Sequence, residues 1–284
     1  MSNRLYTTMN NKAGNIGDVP KHLIVTELLQ LKVDKYKEVC FYDAFGGNYI
    51  TYDCQAEAKD FFKNATANMK KSMYFNQLFG VSKGGELIHY PGSTKLARDT
   101  FSMAADGNNK VIYNSYELMD AIVCFNESQK ETNKIPLEFR CCNAYHLIED
   151  YKHEIETTKS GVLLLDPFYS DGEKDIIGCR KIIDALREKL KNNLGWSIVM
   201  WIPYNSKECY GQAVDMKKEC TEWGFDASLL SILDPIFKGD SKTIKGIGLL
   251  LLNSEKELFD KMEEYGFGTL GKMMGRQEIQ NIID

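Results

Sequence analysis

VLLLDPFYSDG, residues 162–172, runs an apolar stretch straight into Asp166-Pro167-Phe168-Tyr169. A continuous apolar run suits a strand with both faces covered, as in a parallel sheet between helices. Such a strand delivers a carboxylate, a proline and two aromatics to one spot. Taken alone, Asp-Pro equally suits a turn, with Phe168 and Tyr169 as core residues.

The same signal recurs along the chain between helical ones. Residues 19–32 carry Leu and Val at helical spacing, and EVCFYDAFGG (38–47) reads as a strand ending in a glycine turn. Residues 55–80 read as helical with no strand signal, and TKLARDTFSMA (94–104) as a helix. NKVIYNS (109–115) is a short strand, SYELMDAIVCFNES (115–128) a helix, LEFRCCNA (137–144) a strand and YHLIEDYKH (145–153) a helix. After the opening stretch come a long helix (173–192), the strand WSIVMWIPY (196–204) and a helix (211–223). ASLLSILDPIF (227–237) and KGIGLLLLN (245–253) read as the last strands, with SEKELFDKMEEYG (254–266) helical between or after them.

Strands alternating with helices predict βαβ units and an α/β fold with a doubly wound, mainly parallel sheet. Residues 51–90 form a small helical insertion in this reading, so 1–50 and 91–284 make up the α/β domain. In such sheets a ligand lies at the carboxyl ends of the strands, near the point where strand order reverses. The strand ends Asp43-Ala-Phe-Gly-Gly, Tyr113-Asn114, Cys142-Asn143-Ala144, Asp166-Pro-Phe-Tyr and Ile202-Pro203-Tyr204 should therefore face one crevice. The first lacks the GxGxxG spacing of a dinucleotide loop, and the chain carries neither GxxxxGK[ST] nor GxSxG.

Composition narrows the class further. Hydrophobic residues are 43% and charged residues 26%, which excludes a disordered chain. No apolar run approaches the roughly 20 residues of a membrane span. The first residues contain no apolar segment of a secretory signal, so a cytoplasmic location is expected. The eight cysteines show no C-x-x-C spacing and no nearby histidine at zinc-site spacing, so reduced core thiols and no metal are expected. Net charge is −5 with a pI near 5.6, without the basic total common in nucleic-acid enzymes. Lys and Arg do cluster locally in NMKKSM, KLAR, CRKIIDALREKLK and KGDSKTIK, each of which also suits a solvated face.

Asp-Pro-x-Tyr after a buried strand resembles the D/N-P-P-Y motif of amino-directed S-adenosylmethionine (SAM) methyltransferases. AGNIGDVPKH (13–22) is similar to the A-G-N-x-x-D-x-x-K-H signature of the RlmJ family, which methylates adenine N6 in 23S ribosomal RNA. FYDAFGG resembles that family's strand and SAM loop, YPGSTKLAR (90–98) its Y-x-G-S-P-x-x-A-R segment, WIPY (201–204) its W-Y-P, and KGIGLLLLN its late strand. The resemblance runs from about residue 6 to residue 275. It implies a Rossmann-like SAM-dependent methyltransferase acting on a nucleic acid, RNA rather than DNA, as a monomer without membrane attachment.

By that resemblance the catalytic loop is Asp166, Pro167, Phe168 and Tyr169. The Asp166 side chain and the Pro167 carbonyl would accept the two N–H groups of the adenine amine, and Tyr169 would stack on the base. Lys21, His22, Asp43, Gly46, Gly47, Ser93, Asn114, Asn143 and Ala144 would hold SAM. Tyr6, Asn15 and Tyr169 would lie on the substrate side.

Departures from the family are also legible. Phe168 replaces the second proline, Phe45 a histidine, and Asn253-Ser254 the start of N-P-P. Asn114 stands where the family has a carboxylate after its second strand, and Asn143-Ala144 where it has Asp-Gly after its third. Amide acceptors form weaker hydrogen bonds than carboxylates. Three functions fit: an adenine methyltransferase with an altered SAM pocket, a methyltransferase for another nucleic acid, and a non-catalytic binding module on the same fold.

Overall fold

The computed structural model describes residues 12–46, 51–104, 113–117, 135, 137–167, 173–233, 246–275 and 280–283. In chain order the elements are β1 (Lys12–Ala13), α1 (Asp18–Lys35), β2 (Cys40–Asp43), β3 (Thr51–Cys54), α2 (Ala56–Asn64), α3 (Met73–Val81), β4 (His89–Pro91), α4 (Ser93–Ala104), β5 (Tyr113–Glu117) and β6 (Leu137–Cys141). They continue with α5 (Ile148–Thr157), β7 (Gly161–Leu165), α6 (Glu173–Asn192), β8 (Trp196–Pro203), α7 (Lys207–Glu222), β9 (Ala227–Leu233), β10 (Gly246–Leu252), α8 (Lys256–Glu264), α9 (Leu270–Met273) and β11 (Gln280–Ile283).

Among the described residues the main sheet has eight strands in the order β11-β9-β10-β8-β7-β2-β5-β6. β8, β7, β2, β5 and β6 run parallel, while β10 is antiparallel to both β8 and β9, and β11 is antiparallel to β9. The sheet is therefore mixed, and only its β8-to-β6 half has the parallel character expected. The strands of that half sit in the chain order third, second, first, fourth, fifth, reading from β6 to β8. Strand order thus reverses between β2 and β7, which makes their carboxyl ends the switch point.

Alternate residues of the central strands pack on opposite faces, as a pleated strand requires. Phe41, Val162 and Leu164 join Leu23, Ile24 and Leu28 of α1 on one side. Tyr42, Leu163 and Leu165 join Ile182, Ile183 and Leu186 of α6 on the other. Each of these buried side chains stabilises the fold by about 1.5–3 kcal/mol relative to exposure. Helix α1 is buried nearly all round, so its charged residues need internal partners. Glu27 accepts from the Met73 N–H at 2.6 Å, Lys261 Nζ at 3.1 Å and the Tyr265 hydroxyl at 3.2 Å. The fully buried Lys32 ammonium pairs with Glu255 at 3.2 Å.

Segment 51–91 contains helices α2 and α3, as its sequence suggests, flanked by β3 and β4. Those strands form a second, three-stranded sheet with β1, in the order β1-β3-β4. They escape sequence reading because they are only four and three residues long. The segment read as a helix from Ser115 also needs correction, since Ser115–Glu117 belongs to strand β5. The remainder of that expected helix lies outside the described residues. Among the described residues, no helix is long and apolar enough to cross a membrane, and no cluster of His, Cys, Asp or Glu could hold a metal ion.

Candidate active site

Asp43 closes β2 and pairs in register with Leu164 of the adjacent β7. Asp166 directly follows β7, so the two carboxylates stand at neighbouring strand ends on the switch point. Asp43 is 2% exposed. Burial first, and then the Asp166 charge, push its pKa up to about 6, against a hydrogen bond from Ser93. The Ser93 hydroxyl donates to Asp43 Oδ2, and the Phe45 N–H donates to Oδ1 at 3.2 Å. Gly46 is buried at the start of the glycine turn.

A loop before α1 brings in the cation. Asn15 Oδ1 accepts from the N–H groups of Gly17 at 2.6 Å and Asp18 at 3.1 Å. Asp18 Oδ2 reaches back to the N–H groups of Gly14 at 2.8 Å and Asn15 at 3.2 Å. Gly14 has φ +89°, and a Cβ there would lie 2.7 Å from Ala58 Cβ and 2.8 Å from the Tyr90 ring, so only glycine fits. One turn into α1, Lys21 Nζ donates to Asp18 Oδ1 at 3.0 Å and to Asp166 Oδ2. It also lies 5.9 Å from the centroid of the Trp201 ring. Burial opposes the Lys21 charge, but Asp166 and Asp18 outweigh it and hold its pKa above the ordinary value. Burial pushes Asp166 up, and Lys21 only partly reverses that. For Asp18, burial is overcome by Lys21, and the carboxyl is held low.

Beside Lys21, His22 is buried, and its Nδ1 lies 2.8 Å from the Tyr90 hydroxyl. The two rings stack with centroids 5.5 Å apart. Tyr90 in turn meets the Tyr74 hydroxyl at 2.6 Å. Burial, and then the Lys21 charge, depress the His22 pKa to about 3, so the ring is neutral.

On the β6 side, Asn143 Oδ1 accepts from the Tyr145 N–H at 3.0 Å and caps a short 3₁₀ turn, Ala144–His146. Ala144 is buried and its carbonyl accepts from the Tyr151 hydroxyl at 3.3 Å. Tyr145 meets Phe45 edge to face at 5.4 Å and donates to Asp175 at 3.0 Å. The loop after β2 is thereby tied to the β6 end of the crevice.

Lys21, His22, Asp43, Gly46, Ser93 and Asp166 thus come together around the β2–β7 switch point, with Asn15 bracing the loop that carries Lys21. Lys21 and His22, both expected to hold SAM, are buried. Asn114 does not stand at a strand end. It pairs with Tyr42 inside the ladder, and β5 continues to Glu117, opposite Cys141. Tyr6, Gly47, Phe168 and Tyr169 lie outside the described residues. Asp18 and Tyr90 fall on the D of A-G-N-x-x-D-x-x-K-H and the Y of Y-x-G-S-P-x-x-A-R but were given no role from sequence, and nothing local marks Tyr74.

No protein-family model matches the chain, and no curated protein matches it. Among solved structures, LPL1258 from Legionella pneumophila str. Philadelphia 1, described as DUF519, superposes with a TM-score of 0.75 at 16% identity, covering 96% of this chain and 97% of that one. The likeness spans both proteins and shows a shared fold. A putative class I SAM-dependent methyltransferase (lmo1582) from Listeria monocytogenes gives a TM-score of 0.43 at 10% identity, covering 89% of this chain and 66% of that one. A predicted N6-adenine-specific DNA methylase from Listeria monocytogenes str. 4b F2365 gives 0.29 at 13%, covering 66% and 46%. Overlaps as loose as these last two have no weight for this chain.

Proposed function

We propose that this protein is a SAM-dependent methyltransferase that modifies adenine N6 in a nucleic acid, with RNA as the first candidate. The observation that carries this is the placement of Asp43 and Asp166-Pro167 at adjacent strand ends on the switch point of a doubly wound half-sheet. The resemblance of the D-P-F-Y and A-G-N-x-x-D-x-x-K-H segments supplies the chemistry.

The residues present suit SAM. Asp18, Asp43 and Asp166 set three carboxylic groups around one ammonium, Lys21, and the Asp18 charge acts on Asp166 and the Asp166 charge on Asp43. That imbalance favours a ligand with a positive sulfonium and ammonium. Asp43, Gly46, Ser93, His22 and the Asn143-Ala144 turn would line its site. When bound, SAM supplies an electrophilic methyl group.

Asp166 then acts on the acceptor. Lys21 holds Oδ2, and no described residue bonds Oδ1, which can accept one N–H of the adenine amine. The Pro167 carbonyl accepts the other. The two contacts fix the nitrogen with its lone pair toward the methyl group, a matter of orientation more than of acid strength. Transfer of the methyl group would break its bond to sulfur, leaving S-adenosylhomocysteine, and the methylated amine would shed one proton, which Asp166, raised by burial, could take.

One feature favours a non-catalytic module instead. Both Asp43 oxygens and the Asn143 oxygen are already bonded within the protein. Calorimetric titration with SAM and with S-adenosylhomocysteine separates the two. Saturable binding that Asp43→Asn weakens supports the methyltransferase; no heat with either ligand supports the module.

A further inference from the structure

Tyr74, Tyr90 and His22 form a hydrogen-bonded row from α3 through β4 to α1, and the direction of its protons can be worked out. Tyr74 is fully buried, and among the described residues its hydroxyl meets no hydrogen-bonding atom except the Tyr90 hydroxyl. A buried O–H with one partner must donate to it, because leaving the proton unbonded costs the full desolvation of the group. Tyr74 therefore donates to Tyr90. The Tyr90 hydroxyl, also fully buried, has one other partner among the described residues, His22 Nδ1, so its own proton goes there. His22 Nδ1 must then be an acceptor, which leaves the ring proton on Nε2. Burial keeps the ring from charging, with Lys21 and Asp18 as the charged groups beside it. No described residue bonds Nε2.

The row is held rigidly. The Tyr90 ring stacks on His22 and lies against Gly14, where a Cβ would come within 2.8 Å of it. Gly14 donates to Asp18, which pairs with Lys21 and through it with Asp166. The histidine is thus fixed to the same frame as the candidate catalytic loop.

We propose that Tyr90 and Tyr74 are positioning residues that lock His22 as the neutral Nε2–H tautomer, so that it offers one N–H donor, and no positive charge, to an acceptor atom of the bound cofactor. The second half of this rests on the methyltransferase function proposed above. A neutral donor suits a cationic cofactor, because a histidinium would repel its positive charge.

Tautomers are read directly from imidazole nitrogen shifts in ¹⁵N-histidine-labelled protein, which has only four histidines to resolve, with His22→Asn providing the assignment. The expected result is an unprotonated Nδ1 and a protonated Nε2 at His22, unchanged between pH 5 and pH 8. Tyr90→Phe, shown by circular dichroism to be folded, should mix the two tautomers and lower SAM affinity about tenfold, the effect of one misdirected hydrogen bond. Tyr74→Phe should disturb both less, because Tyr90 still donates. A protonated Nδ1 in the parent protein overturns the proposal without recourse to any variant. So does a Tyr90→Phe protein with unchanged tautomer and unchanged affinity. If the parent shows the expected tautomer but binds no SAM, the methyltransferase function fails and the hydrogen-bonded row stands as a structural lock on His22.

Discussion

Replacing Lys21 by methionine removes the ammonium that joins Asp18 to Asp166 while keeping most of the stem packed beside Trp201. Lys21 is 4% exposed, and the side chains of Asp18 and Asp166 are 15% and 23% exposed. Taking away one partner of a buried ion pair costs about 3–5 kcal/mol. Two carboxylates lose their partner here, which pushes the cost up. Their residual hydration and their ability to take up a proton pull it down. Protonating one ordinary carboxyl at pH 7 costs about 4 kcal/mol, which caps that carboxyl's share. A loss of about 3 kcal/mol is therefore expected, and for a chain of this size that lowers the melting midpoint by roughly 6–12 °C. The sign with pH follows from the same groups. Without Lys21 both carboxyls have raised pKa values, so the folded protein holds protons more tightly than the unfolded chain and gains stability as pH falls. The deficit against the parent should be largest near pH 8 and should shrink toward pH 5. Adding Asp166→Asn should restore part of it. Thermal melts of parent, single and double variants at both pH values check this. A single variant that melts within a degree or two of the parent at both would mean that the buried Lys21–Asp166 contact does not exist.

Asp43 gives a second pH signature. Its pKa is raised from 3.8 to about 6, so its ionisation works against folding above pH 6, and that loss is relieved as pH falls toward 4. Asp43→Asn should gain about 1–2 kcal/mol at pH 8, less than the roughly 3 kcal/mol implied by the shift because Ser93 must turn its hydroxyl, and should flatten the rise on the acid side, as followed by urea unfolding. Gly14→Ala forces a side chain into a left-handed backbone and against Ala58 and Tyr90, and should cost about 2–4 kcal/mol in the same assay. Asn114→Glu, inside the ladder, should leave SAM affinity unchanged in calorimetry.

Much of the site was legible because strand ends in a doubly wound sheet must converge. The apolar runs ending in Asp43 and Asp166 located two neighbouring carboxylates without any knowledge of their distance. Where sequence failed, the causes are local. β5 lacks a continuous apolar run after Tyr113, so the helical pattern of the following residues pulled Ser115–Glu117 into the wrong element and made Asn114 look terminal. β3 and β4 owe their pairing to β1 and to each other, long-range partners that no window reveals. The antiparallel β10 carries the same apolar signal as a parallel strand, because burial and not direction sets composition, whereas β11, Gln-Asn-Ile-Ile, has no such run and was not read as a strand. Tyr74 and Tyr90 are sixteen residues apart, and only the fold brings their hydroxyls together.

The central claim is methyl transfer directed by Asp166, and one measurement tests it. Parent protein and Asp166→Asn are each incubated with methyl-labelled SAM and adenine-containing RNA and DNA, and N6-methyladenosine and its deoxy form are quantified by mass spectrometry after nuclease digestion. The expected result is N6-methylated adenine with the parent, none above background with Asp166→Asn, and SAM binding by both. Transfer by the variant at the parent rate, or a parent that binds SAM and methylates neither nucleic acid, would contradict it.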